Sequence, residues 1–481
     1  QKEIFMPTEF LHGLYDGGHG AGLKDYWDMM MANPRCAGGF LWDLMDQGVV
    51  RTDKNNYVDC MGNFGADGIV GPHAEKEGSY YTIKEVWCPV QLTWNDVEKG
   101  ELTLSNQYNF VNLKDCRFSY RLLQMPAMGS TQVKVLKQGN LSSPDVAPGK
   151  EAQVKIPMMA NADAVEIKAV NHEGEEIMTW SRGVKSEERR VKNSSAPSTS
   201  SAAYADQADA VEVKAGGRTY RFAKKDGRLM GVEVGSKAIS LSNGPRFMAA
   251  RRSDRSLDQF YNHDDKEAEK KKTLYTEFVD QGAFAGFEWK EAEAKLVATY
   301  QHGSLDEVDW QFLSDGSVAV TCHYNFGGVV DMMGMAFDYP ESKVRSKAWV
   351  GNGPYRVWQN REQGPQYGYW QNDYNDPIPA ESWDYPEFKG YFANVKWMQF
   401  KTDEGKIGFS GLTADEHMGV YTPRDGRDGL LYTLPQTGLA VFKVIPSVRN
   451  KVNTTDLNGP SAQPKWLNGK GKTVFTLNFE L

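Results

Sequence analysis

The chain has few residues that could staple or anchor a fold. Five cysteines occur in 481 residues, none in a Cys-x-x-Cys spacing. An odd number cannot all pair within one chain. Cys36, Cys60, Cys88, Cys116 and Cys322 therefore read as free or buried thiols, which leaves the compartment open. No run of 18 or more apolar residues occurs, so no helical membrane span is expected. Basic residues are outnumbered: 55 Lys and Arg against 63 Asp and Glu give a net charge of −8 and a pI near 5.7. A nucleic-acid partner calls for the opposite balance. The chain opens at Gln1 with no initiator methionine and no charged-then-apolar signal segment, so its true start is expected upstream, and periplasmic, extracellular and cytoplasmic locations all stay open. Apolar and aromatic content, 40% and 12%, is ample for folded cores, and this length suggests about three domains.

The first stretch organises the rest. Ile4-Phe5-Met6 runs into Glu9, and Gly39-Phe40-Leu41 runs into Trp42 and Asp43, so two short apolar strands each turn polar at their ends. Between them, residues 20–32 place Leu23, Tyr26, Trp27, Met30 and Met31 at the spacing of one helical face. Asn33-Pro34 closes that helix, because proline disfavours helical geometry in the residue before it. A strand–helix–strand unit normally has parallel strands and a right-handed crossover, with chemistry built at the carboxyl ends of the strands. A second helix is expected over residues 75–87, ending at Cys88-Pro89. An eight-stranded α/β barrel takes roughly 250 residues, so residues 1–92 are part of a barrel or fold differently.

Residues 93–184 change to short alternating strands such as Glu101-Leu102-Thr103-Leu104-Ser105 and Ala164-Val165-Glu166-Ile167-Lys168-Ala169-Val170, the pattern of a small immunoglobulin-like sandwich. Residues 185–209, centred on Ser194-Ser195-Ala196-Pro197-Ser198-Thr199-Ser200-Ser201, are of low complexity and read as a linker. From 210 to 481 the strands lengthen, Asp226-Gly227, Asp315-Gly316 and Glu404-Gly405 signal hairpins, and few helical patterns remain, which predicts a large antiparallel β-sandwich.

The runs Glu9-Phe10-Leu11-His12 and Gly38-Gly39-Phe40-Leu41-Trp42-Asp43-Leu44-Met45-Asp46-Gln47 resemble the end of the catalytic barrel of lacZ-type β-galactosidases, glycoside hydrolase family 2. Gly351-Asn352-Gly353-Pro354 resembles the Gly-x-Gly-Pro segment of that family's terminal small-chain domain. The resemblance implies a multidomain, mostly β chain: a partial α/β (TIM) barrel holding the seventh and eighth strands, then an immunoglobulin-like β-sandwich and a large antiparallel β-sandwich. It implies hydrolysis of terminal β-D-galactosides with retention, Glu9 being the nucleophile. The family's acid/base glutamate lies upstream of that position. Of the eight residues before Glu9 only Glu3 is acidic, and it does not match. This chain alone is therefore expected to be a very poor glycosidase, in need of the missing amino-terminal part of the enzyme. His12 matches a family histidine near the sugar, and Trp42 matches the tryptophan that floors the sugar site. Phe64 and Asp67 match positions that hold Na+ or another monovalent cation, through a backbone carbonyl and a side-chain oxygen. The magnesium ligands of the family lie upstream, so no bound magnesium is expected. The continuation Gly13-Leu14-Tyr15-Asp16-Gly17-Gly18 departs from the family pattern, and residues 444–463 show no match for the tryptophan that the terminal domain of some members sends to the site. Galactose is thus inferred from the family.

Each piece also has a plainer reading. A lone Glu after a strand is usually a surface residue or helix cap, His12 can satisfy the backbone of its own loop, Trp42 can be core, and Asp67-Gly68 can be a simple turn. A β-glucuronidase or β-mannosidase type of family 2 hydrolase is the sibling alternative. From another class comes a non-catalytic carbohydrate-binding module using the aromatics from Tyr367 to Phe392, against which core packing competes. The charged run from Asp264 to Lys272 reads as a solvated face. Carbohydrate is the expected partner, and the number of copies, a homo-oligomer included, stays open.

Overall fold

The computed structural model describes residues 3–13, 20–59, 65, 67–76, 78–184, 202–252, 275–278, 282–373, 390–421, 435, 437–448 and 458–481. Most of these belong to antiparallel sheets. Alternation of apolar and polar residues builds them. In Leu305–Phe312, Leu305, Val308, Trp310 and Phe312 are buried while the residues between them are not, as expected for a strand with one face on a core.

Residues from Ala203 onward form two sheets packed face to face. The first runs Ala203–Asp206, Ala210–Ala215, Arg218–Ala223, Leu229–Val234, Ser242–Arg252, Met332–Asp338, Leu439–Val444, His417–Val420 and Tyr391–Phe392. The second runs Ala283–Lys290, Lys295–Gln301, Leu305–Phe312, Val318–Val330, Lys465–Glu480, Lys406–Ser410, Trp397–Thr402, Val344–Gly353 and Gln366–Asp373. The longest ladder pairs Val318 with Leu477 at one end and Val330 with Lys465 at the other. Aromatic side chains from both sheets interlock between them, Phe337 of the first meeting Phe475 of the second edge-on at 5.9 Å. Asp226-Gly227, Asp315-Gly316 and Glu404-Gly405 each join neighbouring antiparallel strands, as their turn chemistry predicts. No α-helix occurs among the described residues of this region. The strand Ala203–Asp206 pairs with Ala210–Ala215, so the end of the stretch expected as linker is part of the sheet. Residues 185–201 lie outside the described residues.

A smaller sandwich precedes it. Val90–Asp96, Glu101–Asn106 and Glu151–Lys155 make one sheet, and Lys134–Leu141, Arg117–Gln124, Ala164–Val170 and Glu176–Gly183 make the other. Their inner faces share a core that includes Leu104, Phe118, Leu122, Ile167 and Trp180. This unit is bolted to the large sandwich: buried Trp397 Nε1 donates to Pro126 O at 2.9 Å, and Ser181 Oγ donates to Tyr367 O at 2.6 Å.

The first 92 residues contain the two α-helices found among the described residues, Leu23–Met31 and Gly78–Val86, both shorter than the stretches read from periodicity. Before Val90, strand character among the described residues consists of isolated bridges, Phe5 with Cys36, Phe10 with Leu41 and Met45 with Val70 in parallel and Val70 with Lys76 antiparallel, and a short antiparallel hairpin, Val49–Arg51 with Tyr57–Asp59. The described residues do not by themselves assemble a barrel wall: these are single bridges, Val70 alone joining two neighbours, Met45 and Lys76, and an edge without partners gains no ladder. The segment is held to the large sandwich by polar contacts. Ser461 donates from N and Oγ to Asp25 Oδ2 at 2.8 and 2.6 Å, Thr82 Oγ1 donates to Gln363 O at 2.8 Å, and Gly364 N donates to Glu85 Oε2 at 2.6 Å. Burial there raises the Glu85 carboxyl above its usual range, with the Gly364 and Gln366 donors opposing. No helix among the described residues is long and apolar enough to cross a membrane.

Candidate active site

Glu9 is set by a parallel ladder. Phe40 N donates to Pro7 O at 3.0 Å, Phe10 N to Phe40 O at 3.1 Å and Trp42 N to Phe10 O at 3.4 Å. These bonds place Glu9 and Trp42 at the same end of adjacent strand pieces. Gly39 allows the approach, since a Cβ there would lie 2.9 Å from Pro7 Cγ and 3.0 Å from Phe10 Cε1.

Beyond Phe10 the chain turns sharply. Leu11 is 1% exposed and packs with Leu23, Ile83 and Val86, which anchors the turn in the small core under the helices. The next residue, His12, comes back towards Glu9, with Nε2 3.3 Å from Glu9 Oε2. The imidazole lies over the Trp42 indole, ring centroids 6.1 Å apart and planes 28° from parallel. Glu9 itself is open, its side chain 53% exposed against 17% for His12. The three residues singled out in the sequence thus converge: an exposed carboxylate, an imidazole nitrogen 3.3 Å from it, and an aromatic face stacked with that imidazole.

The run after Trp42 holds this arrangement from behind. Asp43 N donates to Asp67 O at 2.7 Å, and Asp46 N to Val70 O at 3.0 Å. Gln47 Nε2 donates to Asp43 Oδ2 at 3.0 Å, and Gly68 N donates to buried Asp46 Oδ1 at 2.7 Å. Gly68 fits where no side chain would, a Cβ falling 2.3 Å from Asp46 N. Asp43, Asp46 and Gln47 were quoted in the sequence only as a motif. Their positioning work is the reason for its Asp-x-x-Asp-Gln spacing, and that spacing was the available signal. Asp43 Oδ1 is shielded from solvent without a hydrogen-bond partner among the described residues, so this carboxylate is pinned at one oxygen only.

Asp67 is buried, 2% exposed, and its backbone carbonyl accepts from Asp43 N at 2.7 Å. Phe64 lies outside the described residues. Among the described residues Asp67 joins no group of three or more carboxylate, imidazole or thiolate donors. In the aromatic stretch Tyr367, Tyr391 and Phe392 are 6%, 2% and 1% exposed, and Trp370 donates from Nε1 to the Gly351 and Gln366 carbonyls at 3.2 Å. Tyr367, Tyr391 and Phe392 pack inside the fold and Trp370 is half-buried; residues 374–389 and the charged run 264–272 lie outside the described residues.

The family model "Beta galactosidase small chain" matches residues 214–439, and the model "Beta-galactosidase, domain 4" matches residues 102–180. A β-galactosidase of Oenococcus oeni is 19% identical over 95% of this chain and 47% of its own length. One of Pectobacterium atrosepticum is 29% identical over 23% of this chain and 12% of its own. The chain thus spans about half the length of the curated relative it matches from end to end. Among solved structures, the galactose 1-epimerase of Lactobacillus acidophilus NCFM aligns over 58% of this chain and 98% of its own, at 8% identity and a TM-score of 0.33, a likeness too slight to argue from. The two matched domains in succession, with the end-to-end likeness to the Oenococcus oeni protein, support a likeness of this chain to the carboxyl-terminal portion of the lacZ-type β-galactosidases of glycoside hydrolase family 2.

Proposed function

We infer that the chain supplies the nucleophile half of a retaining glycosidase acting on terminal β-D-galactosides. The observation that carries this reading is the convergence of exposed Glu9, His12 and the Trp42 face at one end of two parallel strand pieces. In a retaining reaction two carboxyl groups stand ~5 Å apart across the scissile bond. The Glu9 carboxylate attacks the anomeric carbon as the leaving oxygen departs with a proton from the acid/base group. Water then cleaves the glycosyl ester, and two inversions restore the configuration. His12 orients the attacking carboxylate through its 3.3 Å contact, and the Trp42 ring accepts the apolar face of the hexose. The acid/base carboxyl is assigned to the part of the enzyme upstream of Glu9.

Two further features support this division. Ile4, Phe5, Met6, Phe40, Leu44 and Met45 are 42 to 73% exposed; apolar residues in that number on strand pieces suit a wall that other barrel strands would cover. The separate cores around Leu104 and around Trp310 suit a division of the smaller sandwich, ending near 184, from the large one, whose strands begin at Ala203, with residues 1–92 as the end of a TIM barrel. Galactose in place of glucuronate or mannose follows the names of the relatives. The test is hydrolysis of a panel of nitrophenyl β-glycosides by the 481-residue protein, alone and mixed with the amino-terminal portion of a family member. The expected result is cleavage of the galactoside in the mixture and its loss in Glu9→Gln. Full activity of Glu9→Gln would overturn the assignment.

A further inference from the structure

Away from Glu9, the described residues bring together one mixed set of metal-ligating side chains. Glu307 and Asp309 are two apart on Leu305–Phe312, hence on one face of the sheet. His323, on Val318–Val330, stands directly opposite Glu307 in antiparallel register. One ligand atom from each residue, two carboxylate oxygens and an imidazole nitrogen, lies within 4.8 Å of the other two. All three residues are half-buried.

Left to themselves these groups are in conflict. Two carboxylates crowd one imidazole on a half-buried patch of the sheet, so like charges face each other. Asp309 Oδ1 is closed off from solvent and has no hydrogen-bond donor among the described residues. Lys295 gives partial relief: its Nζ is 3.6 Å from Asp309 Oδ2 but closer, 2.8 Å, to Glu293 Oε2. Lys472 pairs with His323 from the next strand, where it adds no negative charge to the set. A proton shared by the carboxylates, or a bound cation, would resolve the conflict.

We propose that Glu307, Asp309 and His323 bind a divalent first-row transition cation of the Zn2+ or Co2+ kind, with water completing its coordination. An imidazole among the donors favours such ions over Ca2+ or Mg2+, which prefer all-oxygen sets. The ligands stand on adjacent strands in the interior of a sheet, so the cation ties Leu305–Phe312 to Val318–Val330 without new backbone structure.

The test is a Co2+ titration of the whole 481-residue protein, read by visible absorption and competed with Zn2+, then repeated on His323→Ala, Glu307→Gln and Asp309→Asn. The expected result is a single equivalent of Co2+ displaced by Zn2+, with affinity at least tenfold weaker in each variant. Zn2+ should also raise the thermal midpoint of the unchanged protein and not that of His323→Ala. Glu307→Gln and Asp309→Asn preserve size, so circular dichroism can confirm a folded variant for the comparison. Absence of binding at excess metal, or binding unchanged in all three variants, overturns the proposal; the first result leaves the shared proton as the account of the cluster.

Discussion

A half-buried histidine with a shielded ring nitrogen should make stability fall with acid. His417 lies on the strand His417–Val420, its Nδ1 shielded from solvent without a hydrogen-bond partner among the described residues. Burial pushes the imidazole down from its ordinary 6.5 to about 4. The charge of Asp415 and a backbone contact with Phe442 oppose this, while Lys443 reinforces it. Asp415 and Glu416 share Lys443, whose Nζ is 3.1 and 3.3 Å from them, so their negative charge is already partly answered. The sign follows from proton counting. Between pH 6.5 and about 4 the unfolded chain binds a proton at this site that the folded chain refuses, so stability is complete above pH 6.5 and is lost as pH falls through this window. At about 1.36 kcal/mol for each tenfold change in proton affinity, the loss is about 1.4 kcal/mol by pH 5.5 and about 2.5 kcal/mol by pH 4.5. Urea unfolding at pH 7.5, 5.5 and 4.5, compared between the protein and His417→Leu on the same tryptophan signal, should show a shallower pH slope in the variant by these amounts. Equal slopes, or an imidazole resonance absent from His417→Leu that titrates near 6.5 in the parent, would refute the reasoning.

Other consequences can be checked on the same protein. Asp25→Ala removes the acceptor for two Ser461 donors; with roughly 1–2 kcal/mol lost from this contact, hydrogen exchange in Leu23–Met31 should quicken, and unchanged exchange would mean that the segment is held elsewhere. Gly22→Ala and Gly217→Ala both force a side chain into positive φ, at 71° and 74°. Only at Gly22 does the Cβ meet a backbone atom, Asn458 O at 2.4 Å, with open space at Gly217. The Gly217 variant should lose about 1 kcal/mol and the Gly22 variant clearly more in thermal unfolding, and equal losses would contradict the packing described. Trp397→Phe leaves the buried Pro126 carbonyl without its 2.9 Å donor and should cost about 1–2 kcal/mol in urea unfolding; no change would remove this bond from the coupling of the two sandwiches.

What was legible in the sequence was what short-range physics decides. Two-residue alternation marked Ala164–Val170 to the residue, and Asp-Gly and Glu-Gly turns marked three hairpins. The periodicity of residues 20–32 announced a helix, but Gly20, Ala21 and Gly22 lie outside it: Gly22 sits at φ 71° and its N–H donates to Asn360 O in the large sandwich. That long-range contact had no local signal. The order of strands in the two large sheets, where Met332–Asp338 pairs with Leu439–Val444 across a hundred residues, was equally beyond reach, because pattern marks which face is buried and not which strand is the neighbour. At the site, Glu9, His12 and Trp42 were found through a motif. Composition alone would have left Glu9 a surface residue, and by exposure it is one. The bond from Gly68 N to Asp46 Oδ1 links loops 22 residues apart and became visible only in the fold. The set of Glu307, Asp309 and His323 has no motif, since its closeness arises from strand register.

The most direct test of the central claim is to trap the glycosyl ester. The 481-residue protein, supplied with the amino-terminal portion of a family member, is incubated with a 2-deoxy-2-fluoro-β-galactoside bearing a good leaving group. The intact mass is measured, and the labelled peptide is then mapped. The account predicts one added fluorogalactosyl group on the peptide that contains Glu9, and none in Glu9→Gln. A label on any other residue of this chain, or turnover of galactosides with Glu9 replaced, would contradict it.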